Sequence, residues 1–164
     1  MFFCYLYKKA TMKTFFLFLL TTISFTCFGQ VSVLELEKAV YEKVKTHKKK
    51  LSNYKELSLD TTMSNSCRKH SKYMCVNDNL AHITSFDGVK GKSEIIQYNV
   101  YNGSDVNELA QEILINFLNS PLHKKNIEDS SILIGVGIYI KTTKTVFDTE
   151  TFVSQEVWVT IRFY

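Results

Sequence analysis

The sequence predicts an α+β domain, a three-layer α-β-α sandwich around a small central antiparallel sheet. Apolar residues recur at helical spacing in three separate segments. Two C-terminal segments instead alternate at strand spacing and carry apolar residues on both faces, so helices are required above and below them. The first of those strands also contains Gly135 and Gly137 on one face, where a helix can approach closely.

The first helix follows from Val33, Leu36, Val40 and Val44, with Glu35, Glu37, Lys38 and Glu42 between them, and it is predicted to end near Lys49. A short extended stretch, residues 56–59, precedes Asp60, which caps a second helix with the stripe Met63, Cys67, His70 and Met74. That helix runs out at Asn77-Asp78-Asn79. Residues 80–92 contain Gly88 and Gly91, show no sustained period and read as a loop. Residues 94–98 read as a short strand. Ser104 or Asp105 caps the third helix, whose apolar positions are Val106, Leu109, Ala110, Ile113, Leu114, Phe117 and Leu118. Ser120 is then the N-cap and Pro121 the first residue of a short fourth helix, which places His123 in its first turn.

In the C-terminal region Ile132, Ile134, Val136, Ile138 and Ile140 alternate with Leu133, Gly135, Gly137 and Tyr139. Residues 157–163 alternate likewise and are predicted to pair antiparallel with them. Between the two, residues 142–155 fit either a hairpin extension or a mobile loop: the threonines and phenylalanines suit a strand, and Asp148 and Glu150 interrupt it.

Residues 1–30 read as a secretory signal peptide, with Lys13 ahead of the apolar run Phe15-Phe16-Leu17-Phe18-Leu19-Leu20 and the small residues Cys27 and Gly29 flanking Phe28. Residues 1–11 read as an extension upstream of a start at Met12. The alternative, an uncleaved anchor, must accommodate Thr21, Thr22, Ser24 and Thr26 inside the span. Lipidation at Cys27 is disfavoured by the preceding Thr26. Processing is expected to leave a single domain, residues 31–164, secreted to the cell exterior or the periplasm, with no transmembrane segment, and monomeric.

The leader carries Lys8, Lys9 and Lys13 and no acid, so the formal charge of +4 falls to +1 on processing. Nucleic acid is thereby excluded as the expected partner. The remaining basic run, Lys48-Lys49-Lys50 with Lys45 and His47, reads as a solvated helix end. Cys67 and Cys75 survive processing, but eight residues of helix hold their Cα atoms about 12 Å apart, too far for a disulfide.

Four histidines are present, and His47 is expected at the exposed helix end. His70, on an apolar stripe, is expected as a buried, hydrogen-bonded core histidine. His82 and His123 each lie beside a structural break, where side chains face clefts. Glu94 opens a strand rich in isoleucine, and a buried carboxylate there needs a histidine, a metal or backbone N–H groups as partners. Spacing alone does not join these residues: twelve positions separate His82 from Glu94, and twenty-nine separate Glu94 from His123.

A longer pattern does join them. In order along the chain come Leu59-Asp60, His70-Ser71-Lys72-Tyr73-Met74, Ala81-His82, Ser93-Glu94-Ile95-Ile96, Phe117-Leu118-Asn119-Ser120-Pro121-Leu122-His123-Lys124-Lys125-Asn126-Ile127, and Ile134-Gly135-Val136-Gly137. This succession resembles the CAP superfamily of cysteine-rich secretory, antigen 5 and pathogenesis-related class 1 proteins. The Ser-Pro-x-His-x-x-Asn-Ile segment followed by Ile-Gly-Val-Gly is similar to the bacterial SCP-like branch.

The resemblance implies an α-β-α sandwich whose cleft gathers His82, Glu94, Ser120 and His123. It also implies that His82 and His123 hold a divalent metal such as zinc. The chain departs from the family at three points, the first being that the disulfides and cysteine-rich tail of the animal secretory members are absent. Animal and plant members have a second glutamate three residues after a tryptophan, where this chain has Ser120 after Phe117, and their Gly-Glu-Asn is here Ser93-Glu94-Ile95.

Three functions are consistent with these residues. The first is an exported binding module taking a small ligand, lipid or peptide in its cleft, with a weak divalent-metal site. The second is a metal-assisted, peptidase-like hydrolase with Glu94 as the catalytic general base. The third is extracellular interaction through the outer surface.

Overall fold

The computed structural model describes residues 30–83, 85, 86, 88–148 and 150–164. The predicted leader, apart from Gln30, lies outside the described residues. The described helices are α1 (Val33–Lys48), α2 (Thr61–Val76), α3 (Val106–Asn119) and α4 (Pro121–Glu128). The strands are β1 (Ser58–Leu59), β2 (Ser85–Phe86), β3 (Val89–Lys90), β4 (Ser93–Tyr101), β5 (Leu133–Phe147) and β6 (Glu150–Phe163).

The principal sheet has the order β1-β5-β6-β4. Its three long strands are antiparallel neighbours. β1 pairs parallel to β5, Ser58 opposite Leu133 and Leu59 opposite Ile134, so the sheet is mixed where a purely antiparallel one was expected. The cause is local: the chain touches the sheet for only two residues on its way into α2. Ser58 N–H donates to Ile132 O and Asp60 N–H to Ile134 O, each at 2.8 Å.

α2 covers one face of β5 and β6, while α1, α3 and α4 cover the other, giving the α-β-α sandwich that the two-faced strands demanded. The larger core joins Leu36, Val40 and Val44 of α1 and Leu109, Ile113 and Phe117 of α3 to alternate residues of β5 and β6. A smaller one joins Met74 and Cys75 of α2 to Ile96 and Trp158. The α2 stripe lies so close to the sheet that a Cβ on Gly137 would fall onto the main chain of Cys67 and Arg68, and one on Gly135 would meet Met63. Ser71 Oγ donates to Gly137 O across this contact at 2.9 Å. The Cys67 and Cys75 thiols are free and buried on α2, and burial pushes the Cys67 thiol up to about 12.

The capping expectations hold at Asp60, whose carboxylate accepts from Met63 N–H at 2.7 Å, and at Asp105, which accepts from Asn107 and Glu108 N–H. Ser120 occupies the N-cap of α4 with extended backbone, but its hydroxyl makes no capping hydrogen bond.

Three expectations are corrected. Residues 80–92 are not a plain loop, because β2 and β3 form a small hairpin, Ser85 opposite Lys90, turning through Gly88 at φ 74°. Glu37, placed on the polar face of α1, is buried: it accepts from Ile138 N–H at 3.0 Å and from Arg68 Nε at 2.8 Å. Lys48 is no solvated helix end. It is 2% exposed, and its Nζ donates to Ile127 O at 2.8 Å and to Asp129 O, satisfying carbonyls at the end of α4. His47 beside it is half-buried, its Nε2 3.1 Å from Glu128 Oε1. Periodicity missed Lys48 because a long basic stem can cover apolar surface while its head finds carbonyl oxygens.

The open question over residues 142–155 resolves as a hairpin. β5 and β6 stay in register from Ile134 opposite Phe163 out to Phe147 opposite Glu150. Asp148, at φ 52°, makes the turn, a conformation aspartate tolerates better than most residues.

Candidate functional site

The site forms where the segment after α2 crosses the start of β4. α2 ends at Val76 with Asn77 as its C-cap, Asp78 adopts φ 46°, and Asn79 N–H donates back to Met74 O at 3.0 Å, which turns the chain toward the sheet edge. His82 and Ile83 then lie beside Glu94, the second residue of β4. Glu94 Oε1 accepts from Ile83 N–H at 3.1 Å and stands 3.2 Å from His82 Nδ1. Glu94 Oε2 accepts from Arg162 Nε at 2.8 Å and Nη2 at 2.7 Å, with His70 Nδ1 at 3.3 Å.

Both oxygens of Glu94 are therefore engaged on every side. Burial works to raise its pKa, but the hydrogen bonds from His70, Arg162 and Ile83 outweigh burial and hold the carboxyl below its ordinary range. An ionised carboxylate only accepts, so His82 must carry its proton on Nδ1. In the neutral ring this leaves the Nε2 lone pair pointing away from Glu94.

Arg162 is the residue that sequence reasoning missed. Fully buried on β6, it reaches Ser66 Oγ on α2 at 2.9 Å, Val89 O on β3 at 3.4 Å and Ile83 O at 3.2 Å in addition to Glu94. One guanidinium thus fixes the His82 segment, the small hairpin and the carboxylate together. A signal was available: an arginine inside a strand that is apolar on both faces must find an anion and several acceptors. His70, expected as core, is fully buried and hydrogen-bonded as expected, and it also belongs to this cluster.

His123 approaches from the first turn of α4. Its ring lies edge-on to Phe117, with centroids 5.3 Å apart and planes at 84°, and 6.3 Å from the ring of His82. His82, Glu94 and His123 are thus brought together. Among the described residues Ser120 makes no hydrogen bond or ring contact with them; its main chain links α3 to α4, its N–H donating to Phe117 O and its O accepting from Lys124 N–H. A recess of about 170 Å³ opens beside His82 and Glu94, bounded by Ile83, Gly91, Lys92, Ser93 and Arg162.

Burial, and secondarily the charge of His82, lowers the pKa of His123 below its ordinary 6.5. As pH falls, the unfolded imidazole takes up its proton first. Stability tied to neutral His123 is therefore present above pH 6.5 and lost as pH falls through 6.5 toward the lower folded value. A carbon-detected NMR titration of the His123 ring is expected to give a midpoint below 6.5, and a midpoint at or above that value would contradict its burial.

The sequence matches the profile of the cysteine-rich secretory protein family, CAP, over residues 48–159. The chain belongs to that family. Among solved structures, the CAP domain is similar to an outer surface protein from Borrelia burgdorferi at 19% identity and a TM-score of 0.49, covering 82% of this chain and 97% of that one. A comparison with the curated proteins found no match. Among the described residues, no helix is long and apolar enough to cross a membrane.

Fit to a divalent metal rests on the two histidines. Two imidazoles sharing one tetrahedral zinc, each nitrogen about 2 Å from the ion, hold their centroids roughly 5–6 Å apart, close to the 6.3 Å separation of His82 and His123. Among the described residues no group of three or more His, Cys, Asp or Glu forms a metal site. The case for an ion therefore rests on the spacing of these two rings alone.

Proposed function

We propose that this CAP domain, of the bacterial SCP-like branch, is exported and works as a binding module. Its cleft takes a small polar ligand or a weakly held divalent ion at His82 and His123. The observation that carries this reading is the state of Glu94: with both oxygens accepting from Arg162, His70, His82 and Ile83, the carboxylate orients His82 and is unavailable to take a proton from water. A hydrolase using Glu94 as general base would need that carboxylate free. The recess on the Glu94 side of His82, whose lining does not include His123, suits only a small polar group, since pockets for drug-sized ligands begin at about 300 Å³. A divalent ion, when bound, supplies a Lewis acid. The chain's own contribution is two imidazoles, one aimed by Glu94 and the other kept neutral by burial against Phe117.

Calorimetric titration with zinc tests this. The wild-type chain is expected to bind one ion, His82→Ala/His123→Ala to show no specific heat, and Glu94→Gln to bind about tenfold more weakly through loss of the oriented tautomer. Equal heats for wild type and the double histidine variant would exclude the site. Zinc-dependent cleavage of peptides or esters by wild type that Glu94→Gln abolishes would replace the binding reading with the hydrolytic one.

A further inference from the structure

A second depression, of about 540 Å³, lies between the turn after α1 and the outer side of α4, lined by Asn53, Pro121, Lys124, Lys125, Glu128 and Asp129. Its two carboxylates are occupied, Glu128 with His47 at 3.1 Å and Asp129 with Lys92 at 2.8 Å. Lys49 and Lys50 are exposed at the end of α1, just before the turn that supplies Asn53. Among the described residues, Lys49, Lys50, Lys124 and Lys125 form no ion pair. Setting these four and Lys92 against Glu128 and Asp129 leaves three positive charges in excess here, on a processed domain whose total is +1. The rest of the surface is therefore net negative, and the molecule carries a marked charge asymmetry.

The same rim carries an apolar projection. Leu122 follows Pro121 and is 75% exposed. A soluble polyanion gains nothing from a leucine standing among lysines. A bilayer does, because ammonium groups lie at the level of the headgroup phosphates while an adjacent apolar side chain reaches the acyl boundary.

We propose that this end of the domain, α4 together with the turn after α1, docks on an anionic phospholipid membrane. The inference does not depend on metal binding by the histidines. It does place the candidate site: His123 is the next residue after Leu122, and its ring faces inward to Phe117 and His82. Docking through Leu122 therefore sets the histidine pair at the membrane boundary.

Vesicle flotation tests the proposal, using the same full chain in every arm so that anything residues 1–30 contribute cancels. Wild type is expected to partition at least about tenfold more strongly onto phosphatidylcholine vesicles containing phosphatidylglycerol than onto phosphatidylcholine alone, with the difference shrinking as salt is raised. Lys124→Glu/Lys125→Glu is expected to lose that preference, since each lysine near the surface is worth roughly fivefold. Lys72→Glu, an equal charge change per site on exposed α2, is expected to retain it. Leu122→Ser is expected to weaken vesicle binding while leaving the binding of inorganic polyphosphate unchanged. Equal partition onto both vesicles, or equal losses for Lys72→Glu and Lys124→Glu/Lys125→Glu, overturns the proposal. Full vesicle binding by Leu122→Ser overturns it too, and assigns the lysines to a soluble polyanion.

Discussion

An Arg162→Met variant is expected to lose about 3–5 kcal/mol of folding stability, because it leaves the buried Glu94 carboxylate without its cationic partner. Domains of this kind have only about 5–15 kcal/mol in total, so the loss removes a large share of the folded population on mild heating. Methionine keeps most of the arginine stem's bulk, which isolates the charge and its donors from packing. The pH dependence should change as well. In the wild type, Glu94 titrates below its ordinary 4.5, so the stability from its ionised form is present above pH 4.5 and is lost as pH falls through the lower folded value. Without Arg162, burial becomes the dominant influence, the folded pKa rises, and acid unfolding should begin at higher pH. Urea titrations of Arg162→Met and of Arg162→Met/Glu94→Gln across pH 4–7 check this. The double variant should be more stable than the single one, since it removes the stranded charge. A double variant no better than the single one would show that the cost lies in Ser66, Ile83 and Val89 losing their donor.

Gly137→Ala is the second large effect, expected to cost about 3 kcal/mol or somewhat more, the upper end for overpacking. The added methyl would coincide with the main chain of Cys67 and Arg68, and a main chain cannot rotate aside as a side chain can. α2 must therefore lift from β5, which also stretches the Ser71 Oγ bond to Gly137 O, 2.9 Å in the native packing. Equilibrium unfolding in urea measures the loss. Trimming Cys67 to alanine should restore little of it, because the conflicting atoms are backbone. A Gly137→Ala protein as stable as wild type would mean that α2 does not lie this close to the sheet.

These two positions mark where the sequence was legible and where it was not. Gly135 and Gly137 could be read because glycines on one face of an otherwise isoleucine-rich strand have few uses besides close approach. The helices and the β5–β6 pairing were equally open, since the helical stripes and the period-two runs reflect burial directly. The two-residue contact of Ser58 and Leu59 with β5 was not, because a strand of two residues has no period. The β2–β3 hairpin was hidden for the same reason.

At the site, the family resemblance named His82, Glu94 and His123, and their spacing did not. What neither supplied was the role of the carboxylate. That role depends on Arg162, sixty-eight positions beyond Glu94, and on which oxygen accepts from which donor. His70 was read as a core histidine, and it is one, but its stripe on α2 carried no information about the charge it faces. Lys48 and Glu37 escaped in a similar way: pattern treats a charged residue as solvated, whereas each of these ends on backbone groups that only the fold brings near.

The burial of Glu37 also bears on how the sheet ends. Along the free side of β5, past the short contact with β1, Val136 N–H is taken by Ser64 Oγ and Ile138 N–H by Glu37 Oε1. A foreign strand extends a sheet by finding vacant donors and acceptors along its rim. Here side chains from the two helices flanking β5 already fill these donor positions, and one of them carries a negative charge. The pair of substituted hydrogen bonds thus blocks this stretch of the rim to an incoming strand, and one of the two, Glu37, also joins α1 to α2 through Arg68.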